Sequence, residues 1–198
     1  MTEYLEIWVF TIKGTAGVDM KYKQLYEFKD MDGAGNPEVV MSRYDEGNYN
    51  LDNPNTRVVI YSSNNDWIYD VTSATNDADG DGDHDEDDKS YYMIAAKLVT
   101  EMVTLSPLDE SKRQFDRILI SFCGDNEADV SIMHYKKGNR DLSNPDFLVR
   151  ATNPDSRGMY RTITSAIDAD GDKDIDRDDE LIYRSLATSF LSMKNLLP

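Results

Sequence analysis

The stretch "DADGDGDHDEDD", residues 77–88, places an aspartate at every odd position from Asp77 to Asp87 and adds Asp88. Further along the chain, "DADGDKDIDRDD", residues 168–179, repeats the arrangement. Like charges at this density repel one another, so water or a bound cation must offset the repulsion. Two interpretations are open: a solvated acidic run, which is the common meaning of such a stretch, or a cage for a cation.

The spacing of the carboxylates favours the cage. In each stretch they occupy positions 1, 3, 5, 7, 9 and 12, although a backbone carbonyl usually serves at position 7 of a calcium loop. Oxygen ligands at about 2.3–2.6 Å suit Ca²⁺, which accepts six to eight of them. The candidate metal ligands are Asp77, Asp79, Asp81, Asp83, Asp85 and Asp88 in the first loop and Asp168, Asp170, Asp172, Asp174, Asp176 and Asp179 in the second.

Both loops, with the helices expected after them, resemble EF-hands of the dockerin and extracellular type, "DxDxDGxxDxxD" followed by a leucine-rich helix. The resemblance implies two Ca²⁺ sites, with Mg²⁺ as a competitor. A second stretch, "DMDGAGNPEVV" at residues 30–40, resembles more weakly the loop-then-strand signature of FG-GAP-like propeller blades. Ala34 replaces its third carboxylate, so whether the turn from Asp30 to Glu38 binds a third ion stays open. No family is identified for the whole chain.

Two departures from the calcium-loop pattern predict weak sites. Position 6 requires a left-handed backbone, which Gly82 adopts easily but Lys173 adopts at a cost of about 1 kcal/mol. Position 12 is aspartate in both loops, Asp88 and Asp179, and its short arm reaches an ion less easily than the glutamate of high-affinity loops. We therefore expect the first loop to bind more tightly, and both to fill at extracellular calcium concentrations.

The chain matches itself without gaps after a shift of 91 residues. Tyr44 falls on Tyr135, and "GNYNLDNP" at residues 47–54 falls on "GNRDLSNP" at residues 138–145. In the same register Gly33 falls on Gly124. Chance does not readily place these matches and both acidic loops in one register, so the sequence predicts two homologous halves. Their bounds are residues 1–104 and 105–198.

The sequence predicts an α+β fold in which each half is a small antiparallel β-meander followed by a helix–calcium loop–helix unit. Predicted strands are "LYEF", "EVVMSRY" and "RVVIYS" in the first half and "RILISF", "DVSIMHY" and "DFLVRA" in the second, with "YLEIWVFTI" as an extra first strand. After the loops, "KSYYMIAAKLVTEMV" and "ELIYRSLATSFLSM" read as amphipathic helices. Helical spacing predicts that a helix also enters each loop, formed by Trp67, Ile68, Val71, Ala74 and Thr75, and by Met159, Tyr160, Ile163, Ala166 and Ile167. We expect the halves to pack around a pseudo-twofold axis.

Composition narrows the classes of function. The net charge of -17, with no basic stripe, argues against direct binding to nucleic acid. A single cysteine excludes an intramolecular disulfide framework and a cysteine-based zinc site. No apolar stretch is long enough for a membrane span, and the first residues show no signal peptide. The compartment stays open, with an extracellular or cell-surface location favoured, and a protein partner or self-association is compatible with the chain.

No residue is predicted to be catalytic. The chain lacks phosphate-binding glycine loops, HExxH and GxSxG. Cys123 and His134 could form a nucleophile pair across adjacent strands, but packing is the commoner role for both. The leading hypothesis is a non-catalytic calcium-binding protein with a structural, surface or assembly role. The alternatives are a calcium sensor that exposes an apolar groove to a protein partner, and a hydrolase that carries structural calcium.

Overall fold

The computed structural model contains nine strands and two helices in the part of the chain that it describes. That part comprises residues 6–10, 23–33, 35–45, 47–48, 50, 52–73, 76–78, 81–105, 115–123, 128–141 and 143–196. The strands are β1 (Glu6–Phe10), β2 (Lys23–Lys29), β3 (Glu38–Tyr44), β4 (Thr56–Tyr61), β5 (Val71–Thr72), β6 (Phe115–Cys123), β7 (Asp129–Lys136), β8 (Phe147–Pro154) and β9 (Tyr160–Thr164). The helices are α1 (Glu86–Leu105) and α2 (Arg177–Lys194).

The strands form one sheet in the order β5-β4-β3-β2-β1-β6-β7-β8-β9. Two antiparallel groups of four strands, β2–β5 and β6–β9, flank β1. The central strand β1 is antiparallel to β2 and parallel to β6, so β2 and β6 run in opposite directions. The fold is thus mixed α and β, as predicted. The predicted extra strand is the element that joins the two groups into one sheet.

The same element order, four strands and then a helix, occurs twice. The register of the sheet also recurs after 91 residues: Val39 pairs with Ile60 as Val130 pairs with Ala151. Ile60 in turn pairs with Thr72, and Ala151 pairs with Ile163. Two tyrosine hydroxyls also make hydrogen bonds at positions 91 residues apart. Tyr69 donates to the carbonyl of Pro37, and Tyr160 donates to the carbonyl of Ala128.

The ungapped match fails before β3 and β7. Phe28 pairs with Val39, whereas Phe122 pairs with Val130, so the hairpin between β2 and β3 is three residues longer than the hairpin between β6 and β7. The expected match of Gly33 to Gly124 is not tested, because Gly124 lies outside the described residues.

The prediction of a helix before each loop was wrong. Val71–Thr72 and Tyr160–Thr164 are the edge strands β5 and β9, which pair with β4 and β8. Ala74 and Thr75 lie outside the described residues. Threonine, valine and isoleucine at these positions favour extended backbone, and pairing with a neighbouring strand satisfies the backbone groups that a helix would pair internally. Each acidic loop therefore lies between a strand and a helix.

The helices bury one face of the sheet. Alternate residues of the strands face the core, as a period of two requires, among them Val39, Met41 and their equivalents Val130 and Ile132. The helices α1 and α2 pack against each other above this face. The buried stripe of α2 contains Tyr183, Leu186, Ala187, Phe190 and Met193, which agrees with the amphipathic pattern in the sequence.

Candidate metal centre

Each acidic loop is held at both ends by buried residues. Ala78 and Ala169, at position 2 of the loops, are buried, as are the aspartates at position 12. The described aspartates at positions 3 to 11 are exposed. The strand before the loop and the helix after it therefore position the acidic side chains at the surface.

The aspartate at position 12 closes each loop from inside. Asp88 accepts hydrogen bonds from the backbone N–H of Ala78 at 2.5 Å and of Asp85 at 3.1 Å. In the second loop Asp179 accepts the equivalent two hydrogen bonds, at 2.5 and 2.8 Å. The side chain of Asp176 also caps α2, and its backbone N–H completes a capping box with Asp179. Because a carboxylate oxygen has two lone pairs, an oxygen that accepts one hydrogen bond can still bind a cation.

Position 6 has a left-handed backbone in both loops. Its φ angle is +98° at Gly82 and +83° at Lys173, as the sequence predicted for this turn. The turn directs the position-6 N–H toward the position-1 carboxylate: Gly82 donates to Asp77 at 3.0 Å and Lys173 to Asp168 at 3.1 Å. The conformation is thus the same in both loops, but lysine adopts it at an energetic cost that glycine avoids.

The loops bring carboxylate oxygens together in threes, within 4.8 Å of one another. The groups are Asp83, Asp85 and Asp88; Asp168, Asp170 and Asp179; and Asp174, Asp176 and Asp179. Within the described part of the chain, Asp77, Asp81 and Asp172 belong to no such group, and Asp79 lies outside it. The position-7 side chains, Asp83 and Asp174, are members, although we expected the backbone carbonyl to serve there.

The charges of the loops act on one another. The charge of Asp81 raises the pKa of Asp83 above its ordinary value, with desolvation and Asp85 adding to the effect. In the second loop the charge of Asp172 likewise raises the pKa of Asp174. A cation placed between these carboxylates would offset the repulsion.

Position 8 does not behave as in paired EF-hand loops. In paired EF-hand loops an apolar residue at position 8 joins the two loops through a short strand contact. Ile175 stands at position 8 of the second loop. The side chain of Ile175 is 62% exposed, and neither 81–85 nor 170–176 contains a strand. The loops are instead held by the edge strands β5 and β9, which lie at opposite ends of the sheet.

One feature of the site was not found from the sequence. The guanidinium of Arg43 donates to the carbonyl of Ala78 at 2.7 Å and so connects β3 to the first loop. No motif marks this arginine. In the turn from Asp30 to Glu38, where the sequence left a third ion open, Asp30, Asp32 and Glu38 bring their carboxylates within 4.8 Å of one another.

The candidate nucleophile pair does not form. Cys123 pairs with Asp129 at one end of the hairpin, and His134 pairs with Ile118 toward the other end. Burial lowers the pKa of His134 to about 3, and its Nε2 lies 3.1 Å from the hydroxyl of Tyr183. His134 is thus a neutral core residue, in agreement with the packing interpretation.

Comparisons with protein-family models, with curated proteins and with solved structures found no match. In the described residues, neither helix combines the length and the apolar character needed to cross a bilayer. The resemblance to calcium-binding loops therefore depends on the residues and geometry of the loops themselves.

Proposed function

We propose that this protein binds calcium at two sites, one in each acidic loop, and that the ion stabilises the fold rather than taking part in catalysis. The carrying observation is the arrangement around Asp179, whose carboxylate approaches two separate pairs of aspartates, Asp168 with Asp170 and Asp174 with Asp176, within 4.8 Å. One ion at the centre of this loop would neutralise carboxylates from both of its sides.

Calcium suits these groups better than a transition metal. The groups in the loops consist of carboxylates, with no histidine or cysteine among their members in the described residues. Hard oxygen ligands favour Ca²⁺ and Mg²⁺, whereas Zn²⁺ is bound mainly by nitrogen and sulfur. Mg²⁺ demands stricter octahedral geometry and keeps its water, so we propose it as a competitor and not as the preferred ion.

The aspartates have a simpler possible role, which is to cap the helices. Capping accounts for Asp176 and Asp179 in α2, because both accept backbone hydrogen bonds at its first turn. It does not account for the exposed aspartates at positions 3, 5 and 7, which repel one another without closing the helix. The spacing of these residues is the part of the pattern that favours a cation.

The repeated register and the repeated loop contacts support a duplication of one ancestral unit, in which a strand–loop–helix arrangement binds each ion. The opposite directions of β2 and β6 are those that a pseudo-twofold relationship requires. We further propose a structural, surface or assembly role in a compartment with millimolar calcium, since aspartate at position 12 and lysine at position 6 both weaken binding.

Calorimetric titration with Ca²⁺, combined with thermal melts, tests this proposal. We expect two binding events, of which Asp77→Ala removes the tighter and Asp168→Ala the weaker. At a free calcium concentration ten times above Kd, each site should add about 1.4 kcal/mol to the free energy of unfolding. The matched control is Asp52→Asn, which removes one exposed charge outside the loops and should leave both events unchanged. Identical melts in EDTA and in saturating calcium would reject the proposal in favour of a solvated acidic run.

A further inference from the structure

The two halves of the sheet differ around one cavity. The longer hairpin between β2 and β3 adds residues at its wall, and Tyr61 stands where the equivalent position of the second half has Thr152. A few residues later, Trp67 stands where the second half has Gly158. From β3 to β5 and from β7 to β9 the strand register of the two halves agrees, so the cavity differs from its counterpart in side chains and in the length of the hairpin.

The cavity has a volume of about 450 Å³, within the usual range for small-molecule sites. It lies between the β2–β3 hairpin, the end of β4 and the turn that follows β4. Its polar and aromatic lining comes from Asp32, Asn36, Glu38, Tyr61, Ser62 and Asn65. Carboxylates, amides and a hydroxyl therefore surround an aromatic ring.

The polar groups of this wall are held in fixed positions. Glu38 accepts a hydrogen bond from the backbone N–H of Met31 at 2.8 Å. The amide nitrogen of Asn36 lies 3.4 Å from the Oδ1 atom of Asn65, to which it donates. The Oδ1 atom of Asn36 is buried and has no hydrogen-bond partner among the described residues. A buried acceptor without a partner is energetically costly, and the residue that carries it lines the cavity.

Two aromatic residues in this region, Tyr61 and Trp67, are partly exposed, and the backbone conformation of Trp67 is energetically unfavourable. The side chain of Tyr61 is 36% exposed and that of Trp67 is 40% exposed. Trp67 has a φ of +67°, a left-handed conformation in which the equivalent glycine, Gly158, has a φ of +78°. Asn65, which lines the cavity, has a φ of +54° in the same turn. Tryptophan is unfavourable in this conformation, and strained residues of this kind cluster at functional sites.

We propose that this cavity binds a short neutral saccharide, with Tyr61 against a sugar ring and the carboxylates and amides holding its hydroxyls. A sugar hydroxyl both donates and accepts, as do the amide and hydroxyl side chains of the wall. The carbon face of a sugar ring is apolar and packs well against an aromatic ring. Trp67 lies in the turn after β4, two residues beyond Asn65, which lines the cavity.

A neutral ligand fits the wall better than an organic cation. The amides of Asn36 and Asn65 carry donors as well as acceptors, whereas a cation needs acceptors alone. The site lies outside both acidic loops, so its occupancy does not depend on the calcium proposal.

Binding can be followed by tryptophan fluorescence, to which Trp67 is one of two contributors in the chain. The probes are maltotetraose, cellotetraose, xylotetraose and chitotetraose, titrated in saturating calcium with calorimetry in parallel. We expect a saturable response to at least one of them. Tyr61→Thr, which installs the residue of the equivalent position, should weaken that binding at least tenfold. Asn36→Ala should weaken it by a similar factor.

Two controls separate this site from the rest of the molecule. Thr152→Tyr alters the equivalent position of the second half and should leave saccharide binding unchanged. Asp168→Ala, which removes a proposed calcium ligand, should also leave it unchanged, so failure of one proposal does not imply failure of the other. The inference is overturned if no saccharide binds, if Tyr61→Thr binds as well as the parent, or if the cavity responds to putrescine or Ca²⁺ alone.

Discussion

The carboxylate of Asp179 accepts a hydrogen bond from the backbone N–H of Ala169, at 2.5 Å and across the whole length of the second acidic loop. This contact joins the second residue of the loop to the first turn of α2. The first loop has the same contact between Asp88 and Ala78. Each loop is therefore closed by its last aspartate, which leaves the preceding aspartates at the surface.

Removal of the closing carboxylate should destabilise the protein even without calcium. In Asp88→Ala, the N–H groups of Ala78 and Asp85 lose their acceptor, at a cost of about 1–3 kcal/mol for each group that stays buried. The control is Asp87→Ala, an exposed acidic residue in the same helical turn, where we expect less than about 1 kcal/mol. Urea unfolding in EDTA measures both. Equal stabilities for the two variants would show that the closing contact is unimportant.

Replacement of Lys173 by glycine should stabilise the second loop. Lys173 has a φ of +83°, so Lys173→Gly should add about 1 kcal/mol to the free energy of unfolding and tighten the second calcium site. The reverse change, Gly82→Lys, should cost a similar amount in the first loop. A Cβ atom at Gly82 would meet no atom of the described residues within 4 Å, so that cost would come from the backbone conformation and not from a clash with them. Thermal melts and calcium titrations of both variants measure these effects. A Lys173→Gly variant that is less stable than the parent would contradict the prediction.

His134 should make the stability depend on pH below neutrality. Burial lowers its pKa to about 3, so the unfolded chain binds a proton below the ordinary value of 6.5 while the folded chain does not. Stability from this residue is complete above 6.5 and is lost as the pH falls, by about 1.4 kcal/mol per unit.

The chain has two histidines, so substituting each of them in turn shows which one causes the pH dependence. His134→Gln should flatten the dependence between pH 6.5 and 5 in EDTA. His84→Gln, at an exposed position of the first loop, is the matched control and should keep it. An unchanged slope in His134→Gln would assign the pH dependence elsewhere.

A structural role for calcium predicts less exposed apolar surface in the bound state. A dye that fluoresces on apolar surface should lose signal as calcium is added, because the ion orders the loops and the helices after them. A sensor would gain signal at micromolar calcium as it opened a groove. Met93 and Leu181, both about half exposed on the helices, should contribute a dye signal before calcium is added. A clear gain at micromolar calcium would replace the structural proposal with the sensor.

Local patterns predicted most of the elements. Apolar alternation and β-branched residues located β3, β4, β6, β7 and β8 to within a few residues, and amphipathic spacing located α1 and α2. The left-handed turn at Lys173 followed from its position in the loop pattern. These features depend on the residues of one segment, so the segment alone contains the information.

The failures concern segments whose state depends on distant residues. Val71 and Ile163 fit a helical stripe, yet they lie in strands because β4 and β8 supply hydrogen-bond partners for their backbones. The sequence could not show that these hydrogen-bond partners would be present, because a short amphipathic stretch fits both the period of a helix and the period of a strand. The cavity beside Tyr61 also escaped the sequence, because its wall combines the β2–β3 hairpin with the turn after β4.

By itself, the sequence determined the acidic loops, their spacing and the helices that follow them, since each depends on neighbours along the chain. Tertiary structure alone decided that β1 would join both groups of strands into one sheet, with β6 beside it in parallel. It alone also decided which carboxylates meet, as Asp179 does with Asp168 and Asp174. The physical reason is that pairing of backbones and convergence of charges depend on distances through space, which the order of residues does not specify.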